Sequence, residues 1–104
     1  MDIKEWRSRI DKVDEQLLRL LSVRAQLAIE IGRGKREEGA EVYDPAREQE
    51  VVRRVLEANP GVLDAEAIGR LFQEIVNESR RAAEQAADRA GEAGEVATER
   101  RGKP

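Results

Sequence analysis

The hydrophobic positions in the first third of the chain fall on a seven-residue spacing. Ile3, Ile10, Leu17 and Ile31 mark one series, and Trp6, Val13, Leu20 and Leu27 mark the complementary one. In heptad notation this is an a/d seam. It predicts one helix of about nine turns over residues 3–35. Asp2 is placed to cap its start. Gly32 and Gly34 weaken its last turn or bend it, and Gly39 suits its end. Residues 40–43 read as a connector. Asp44-Pro45 then pairs an N-cap residue with the imino acid favoured at the first helical position. The second helix runs to about Ala58, with Val51, Val52, Val55 and Leu56 as its apolar side, and Asn59-Pro60-Gly61 stops it. Asp64 caps a third helix, where Leu63 and Ile68 have the spacing of a hydrophobic staple. Its stripe is Ile68, Leu71, Phe72, Ile75, Val76, Ser79, Ala82 and Ala83, which loses large apolar side chains after Val76. From residue 87 to 104 the chain is mostly Ala, Gly, Glu and Arg, a composition expected to fray or be disordered. The expected fold is all-α, with one very long, one short and one medium helix in a domain of residues 1–86.

One seam position breaks the pattern. Where the first series requires an apolar residue, the chain has Arg24. A cation on an apolar stripe is costly unless it meets an anion. Two readings follow: a polar register device between paired helices, or one wall of an anion-binding cleft. Lys35, eleven residues on, returns to nearly the same helical face, and Ala28 between them leaves room. Lys35 alone also suits the negative end of the helix dipole.

Composition narrows the choices. Charged residues make up 39% of the 104 residues and aromatics 3%, so a monomeric core would be thin. A long helix with an unbroken seam makes up that deficit by pairing with a second chain. The net charge of −3 argues against general nucleic-acid binding. No apolar run is long enough to span a membrane and no signal-peptide pattern is present, so a cytoplasmic location is expected. Without cysteine or histidine, disulfides, thiolate chemistry, the common zinc sites and histidine-dependent triads are excluded. No cofactor or metal is expected.

The other candidate residues each have an ordinary structural role open to them. Arg7 sits about 25 Å from Arg24 along one helix, too far to share a site with it. In an antiparallel pair of chains, Arg7 of one can approach Arg24 of the other. Asp44 has a sufficient role as a cap. Arg47 and Glu48 can be solvated in the first turn, where Glu48 suits the positive end of the dipole. Ser79 can bond to its own backbone. Against these separate roles stands their sum, which is several cations and few polar groups able to converge between helices.

The ordered set of these pieces is similar to the all-helical chorismate mutases of the AroQ class, over residues 3–85. The pieces are Arg7, Ile10-Asp11-Lys12-Val13-Asp14, Leu17-Leu18-Arg19-Leu20-Leu21, Arg24, Ala28-Ile29-Glu30-Ile31-Gly32 and Lys35. Val42-Tyr43-Asp44-Pro45-Ala46-Arg47-Glu48, Leu71-Phe72-Gln73-Glu74-Ile75 and Glu78-Ser79-Arg80 complete it. The resemblance implies an intertwined helical homodimer with two equivalent sites. It also implies the Claisen rearrangement of chorismate to prephenate, on the route to phenylalanine and tyrosine. By the same resemblance, Arg7 from the partner chain and Arg24 bind substrate carboxylates. Lys35 donates to the ether oxygen, Glu48 and the region of Asp44 hold the ring hydroxyl, Arg47 orders Glu48, and Ser79 contacts a carboxylate. A pericyclic reaction needs positioning and donors aimed at developing charge, and no nucleophile or metal.

The chain departs from the family at one place. Four residues after Ser79 the family carries Gln or Glu as a second partner for the ether oxygen, and here that residue is Ala83. Three outcomes follow: Glu84 or Gln85 turns inward, Lys35 acts without that partner, or the activity is altered. A glutamate donor would have to be protonated, which favours acidic pH. Two other functions remain alongside the mutase. One is an isochorismate-pyruvate lyase, and the other is a non-catalytic helical dimerisation or ligand-sensing module.

Overall fold

In a computed structural model the chain forms three helices, α1 (Ile3–Glu37), α2 (Pro45–Ala58) and α3 (Ala65–Gly102). The structure describes the backbone of residues 1–102 and the side chains of residues 1–91. Each helix starts at an aspartate, as the sequence predicts. Asp2 Oδ1 accepts from the Glu5 N–H at 2.9 Å, Asp44 Oδ1 from Arg47 N–H at 3.1 Å, and Asp64 Oδ1 from Ala67 N–H at 2.7 Å. These bonds satisfy donors that the first turn leaves unpaired. Gly39, at φ 74°, turns the chain out of α1 in a conformation that other residues resist.

Helix α3 packs on both α1 and α2, while the backbones of α1 and α2 stay apart. Along the α1–α3 contact, Arg24 meets Ser79, Gly32 meets Ala83 and Arg36 meets Ala87. Both numbers rise together, so the two helices run in the same direction there. The closest approach is at Gly32, which is buried, and a Cβ there would sit 3.3 Å from the Ala83 Cβ. Gly32 lies inside α1, which continues past it to Glu37. It removes a side chain where α3 has to come close.

The same packing explains the region beyond Val76. Small residues continue the inward face at Ala83 and Ala87, which are 2% and 7% exposed. The Arg36 guanidinium donates to the Ala87 carbonyl, and Gly91 leaves room for it. The α3 backbone is helical to Gly102, and its close packing against α1 accounts for the small residues as far as Ala87 and Gly91. The last two tail residues, and the side chains beyond Gly91, lie outside the described residues.

The apolar seam of α1 is not covered by this chain. Trp6 is 51% exposed, Leu20 66% and Ile31 62%, whereas the buried hydrophobic residues are only Val76, Ala83 and Ala87 among the described residues. The radius of gyration is 19.0 Å, against about 13 Å for a compact domain of this length.

The Gly32 contact predicts opposite outcomes for two nearby glycines. Gly32→Leu should lower stability by about 1–3 kcal/mol, since α1 and α3 must separate. Gly34→Ala meets nothing within 4 Å and should raise stability by up to about 1 kcal/mol. Urea unfolding of both variants at one fixed protein concentration reads the difference.

Candidate active site

Because α3 bridges two helices whose backbones stay apart, a cleft remains between α1 and α2, floored by α3. Its volume is about 300 Å³. Helix α1 contributes Arg24, Leu27, Ala28, Ile31, Gly32 and Lys35, and α3 contributes Val76, Ser79, Arg80 and Ala83. Val42 and Asp44 enter from the connector, and Arg47, Glu48 and Val51 from α2. Six of the seven residues expected at the site, Arg24, Lys35, Asp44, Arg47, Glu48 and Ser79, thus line one cavity. The seventh, Arg7, is exposed near the start of α1 and lies outside it.

The polar groups are tied to the walls. Arg24 Nη1 donates to Ser79 Oγ at 2.6 Å, across the α1–α3 contact. Ser79 is 5% exposed, so its hydroxyl gives the seam cation a buried partner. The hydroxyl accepts in this contact, which leaves its own O–H proton available as a donor. Lys35 Nζ lies 3.4 Å from the Val42 carbonyl and 3.7 Å from Asp44 Oδ2. Asp44 therefore divides its carboxylate, one oxygen capping α2 and the other facing Lys35.

Glu48 is held differently from the sequence expectation. Arg47 does not order it. Neighbouring residues on a helix project about 100° apart, and Arg47 Nη1 instead pairs with Glu50 at 2.9 Å, the usual i,i+3 contact. Arg80 from α3 takes that place: its Nη1 lies 2.7 and 2.8 Å from the two Glu48 carboxylate oxygens. The sequence contains a cue to Arg80. It lies four residues after Val76 and three before Ala83, at the edge of the buried stripe.

Neither neighbour of Ala83 fills the place where the family has Gln or Glu. Glu84 Oε1 lies 3.7 Å from Arg80 Nε, and Glu84 lines an adjoining depression with Tyr43 and Asp88. Gln85 is exposed and absent from the cleft lining. The acidic-pH behaviour expected of an inward Glu84 therefore has no structural basis. Ala83 itself is taken up in the contact with Gly32.

In charge terms the cleft carries four cations, Arg24, Lys35, Arg47 and Arg80, against two carboxylates, Asp44 and Glu48. The lining residues sum to +2, both carboxylates face a cation, and Arg47 also pairs with Glu50 outside the lining, so Arg24 is the lining cation that faces no carboxylate among the described residues. The walls between these groups are apolar. Such a cleft suits a small, doubly negative, partly hydrophobic molecule. Among the described residues, no cluster of Asp and Glu could hold a metal ion, and no helix is long and apolar enough to cross a membrane.

Comparison with known proteins points the same way. The chorismate mutase type II family model matches residues 6–84. A bifunctional chorismate mutase/prephenate dehydratase of Aquifex aeolicus is 38% identical over 80 residues, covering 73% of this chain and 22% of that protein. The enzyme of the same name from Stutzerimonas stutzeri is 42% identical over 80 residues, covering 72% of this chain and 22% of its own. The chain thus spans about a fifth of the length of these curated relatives. The form II chorismate mutase structure from Thermus thermophilus matches with a TM-score of 0.77 at 41% identity. That match covers 79% of this chain and 93% of the Thermus chain. With a cationic interhelical cleft inside the matched residues, this chain belongs to the type II chorismate mutase family.

Proposed function

We infer that the cleft, carried by residues 1–86, converts chorismate to prephenate in phenylalanine and tyrosine biosynthesis in the cytoplasm. The observation that carries this reading is the +2 cleft with Arg24 and Lys35 on one wall, each fixed to the protein by only part of its donor set. A guanidinium has five N–H donors, and Ser79 accepts from one Nη1. The rest of the fork remains for a substrate carboxylate. Lys35 has three donors and its nearest acceptors are at 3.4 and 3.7 Å. It can turn a proton toward the ether oxygen as the C–O bond breaks and negative charge grows there. Glu48 and Asp44 offer acceptors to the ring hydroxyl, and Ser79 lies next to the carboxylate that Arg24 would hold. The reaction needs only that the dianion be folded into its reactive chair and that its developing charge be met. With Ala83 supplying no donor, Lys35 serves the ether oxygen alone.

The active form is an intertwined homodimer in which the exposed α1 seams cover one another. A continuous apolar face of this size on a free chain is otherwise unsupported. Antiparallel pairing brings Arg7 of one chain to the cleft of the other, where it supplies the second carboxylate ligand.

Chorismate offered to the purified protein should lose its absorbance and yield prephenate. Arg24→Ala and Lys35→Ala should each lower kcat/KM by about 10²–10³-fold, the usual effect of removing one preorganised donor. Wild-type protein without turnover between pH 5 and 8 overturns the mutase reading. Salicylate and pyruvate formed from isochorismate would mark a lyase instead.

The shared site has its own test. Arg7→Ala and Arg24→Ala chains should each be inactive alone. Mixed in equal amounts and allowed to exchange, they should recover about a quarter of wild-type activity, because half the dimers then hold one intact site of two. No recovery despite demonstrated subunit exchange would place Arg7 outside the site.

A further inference from the structure

Arg80 has no role assigned by the family resemblance, yet it makes the densest set of polar contacts in the cleft. Its Nη1 bonds both oxygens of Glu48 at 2.7 and 2.8 Å. Its guanidinium carbon stands 4.5 Å from the centroid of the Tyr43 ring, in the connector between α1 and α2. Its Nε faces Glu84 on its own helix at 3.7 Å. The Arg80 side chain is 27% exposed and that of Glu48 15%, so this pair is screened less than the surface ion pairs of the molecule. The guanidinium is therefore set from three directions, by α2, by the connector and by α3. It stands between the cleft and the depression that Tyr43 and Glu84 line.

We propose that Arg80 is a positioning residue for the rearrangement: held by Tyr43 and Glu84, it fixes the Glu48 carboxylate as acceptor for the ring hydroxyl of the substrate. The proposal rests on the reading of Glu48 as a hydroxyl ligand. Two physical effects act together. Glutamate has three rotatable bonds, and a carboxylate that must meet one hydroxyl loses catalytic value if it samples several positions. Arg80 occupies one lone-pair site on each oxygen, and a carboxylate has about four such sites. Acceptor capacity therefore remains for the hydroxyl. The second effect is charge. Glu48 lies in a cleft built for a dianion, and its negative charge would oppose binding. Arg80 compensates it in place. Lysine would not do the same work, because only the planar guanidinium can lie on the Tyr43 ring while bonding a carboxylate at its edge.

A double-mutant cycle in kcat/KM for chorismate tests the proposal. Arg80→Met in the otherwise wild-type enzyme should lower kcat/KM by about 10–100-fold, within the range of coupling between contacting residues. The loss should divide between a raised KM, from the uncompensated Glu48 charge, and a lowered kcat, from the misplaced carboxylate. A purely structural role would reduce the amount of active enzyme and leave KM unchanged. In a Glu48→Ala background the same Arg80→Met change should cost less than about twofold. Tyr43→Leu, which removes only the ring beside Arg80, should give a smaller loss that also vanishes in the Glu48→Ala background. Equal losses from Arg80→Met or from Tyr43→Leu with and without Glu48 overturn the proposal while leaving the role of Glu48 intact. Glu48→Ala with wild-type kcat/KM overturns that role and the proposal together.

Discussion

The contact between Gly32 and Ala83 is the constraint on which the site depends. A Cβ on Gly32 would be 3.3 Å from that of Ala83, so α1 and α3 are as close as side chains allow at that point. Two turns back along α1, and one turn back along α3, the same approach brings Arg24 within 2.6 Å of Ser79. One turn forward it brings Arg36 to the Ala87 carbonyl. A helix pair held farther apart would leave Arg24 reaching into solvent and Ser79 without a partner. Glycine in a helix interior costs about 1 kcal/mol relative to alanine. Here that cost is offset by the packing and the polar contact that the approach makes possible.

The cleft's electrostatics follow from a division of labour between two kinds of cation. Lys35 and Arg80 each face a carboxylate, Asp44 and Glu48 respectively. Arg24 is bonded to a neutral hydroxyl, and Arg47 turns to Glu50 outside the cleft lining. A cleft of unpaired cations would repel itself, and one of fully matched ion pairs would have no excess charge for a dianion. The observed pattern fixes geometry with the pairs and keeps net positive charge at Arg24. Binding strength and orientation are thereby assigned to different residues. Changing a paired cation should disturb orientation, whereas changing Arg24 removes attraction directly.

The helices are legible in the sequence because their ends are local. Asp2, Asp44-Pro45 and Asp64 act within one turn of their own position, and each caps where its sequence context predicts. Lys35 and Arg24 are legible because both interrupt an apolar face. The role of Arg80 is not, because it depends on where α2 lies relative to α3, which no spacing along either helix encodes. Family resemblance credits Arg47 with it, although its neighbour Glu48 points to a different side of α2. Ala83 is visible as a departure from the family pattern, but its partner Gly32 lies 51 residues away in sequence. Ala83, Ala87 and Gly91 are hard to read for a related reason. Small side chains signal lost packing when read alone, and close packing when another helix is pressed against them.

The seam residues Leu17, Leu20, Leu27 and Ile31 stay 51–66% exposed on the free chain, while Arg24 is partly buried against α3. The Arg24 guanidinium reaches Ser79 on α3, whereas Ile31, one heptad further along the same series, is again exposed, so Arg24 lies at the edge between the open seam and the side that α3 covers. The cation stands at that border, where an apolar residue would serve either surface only in part. Its position explains why one residue can interrupt a hydrophobic repeat without breaking the helix. The seam is left to the residues on either side, and the charge is turned into the cleft, where Ser79 receives it.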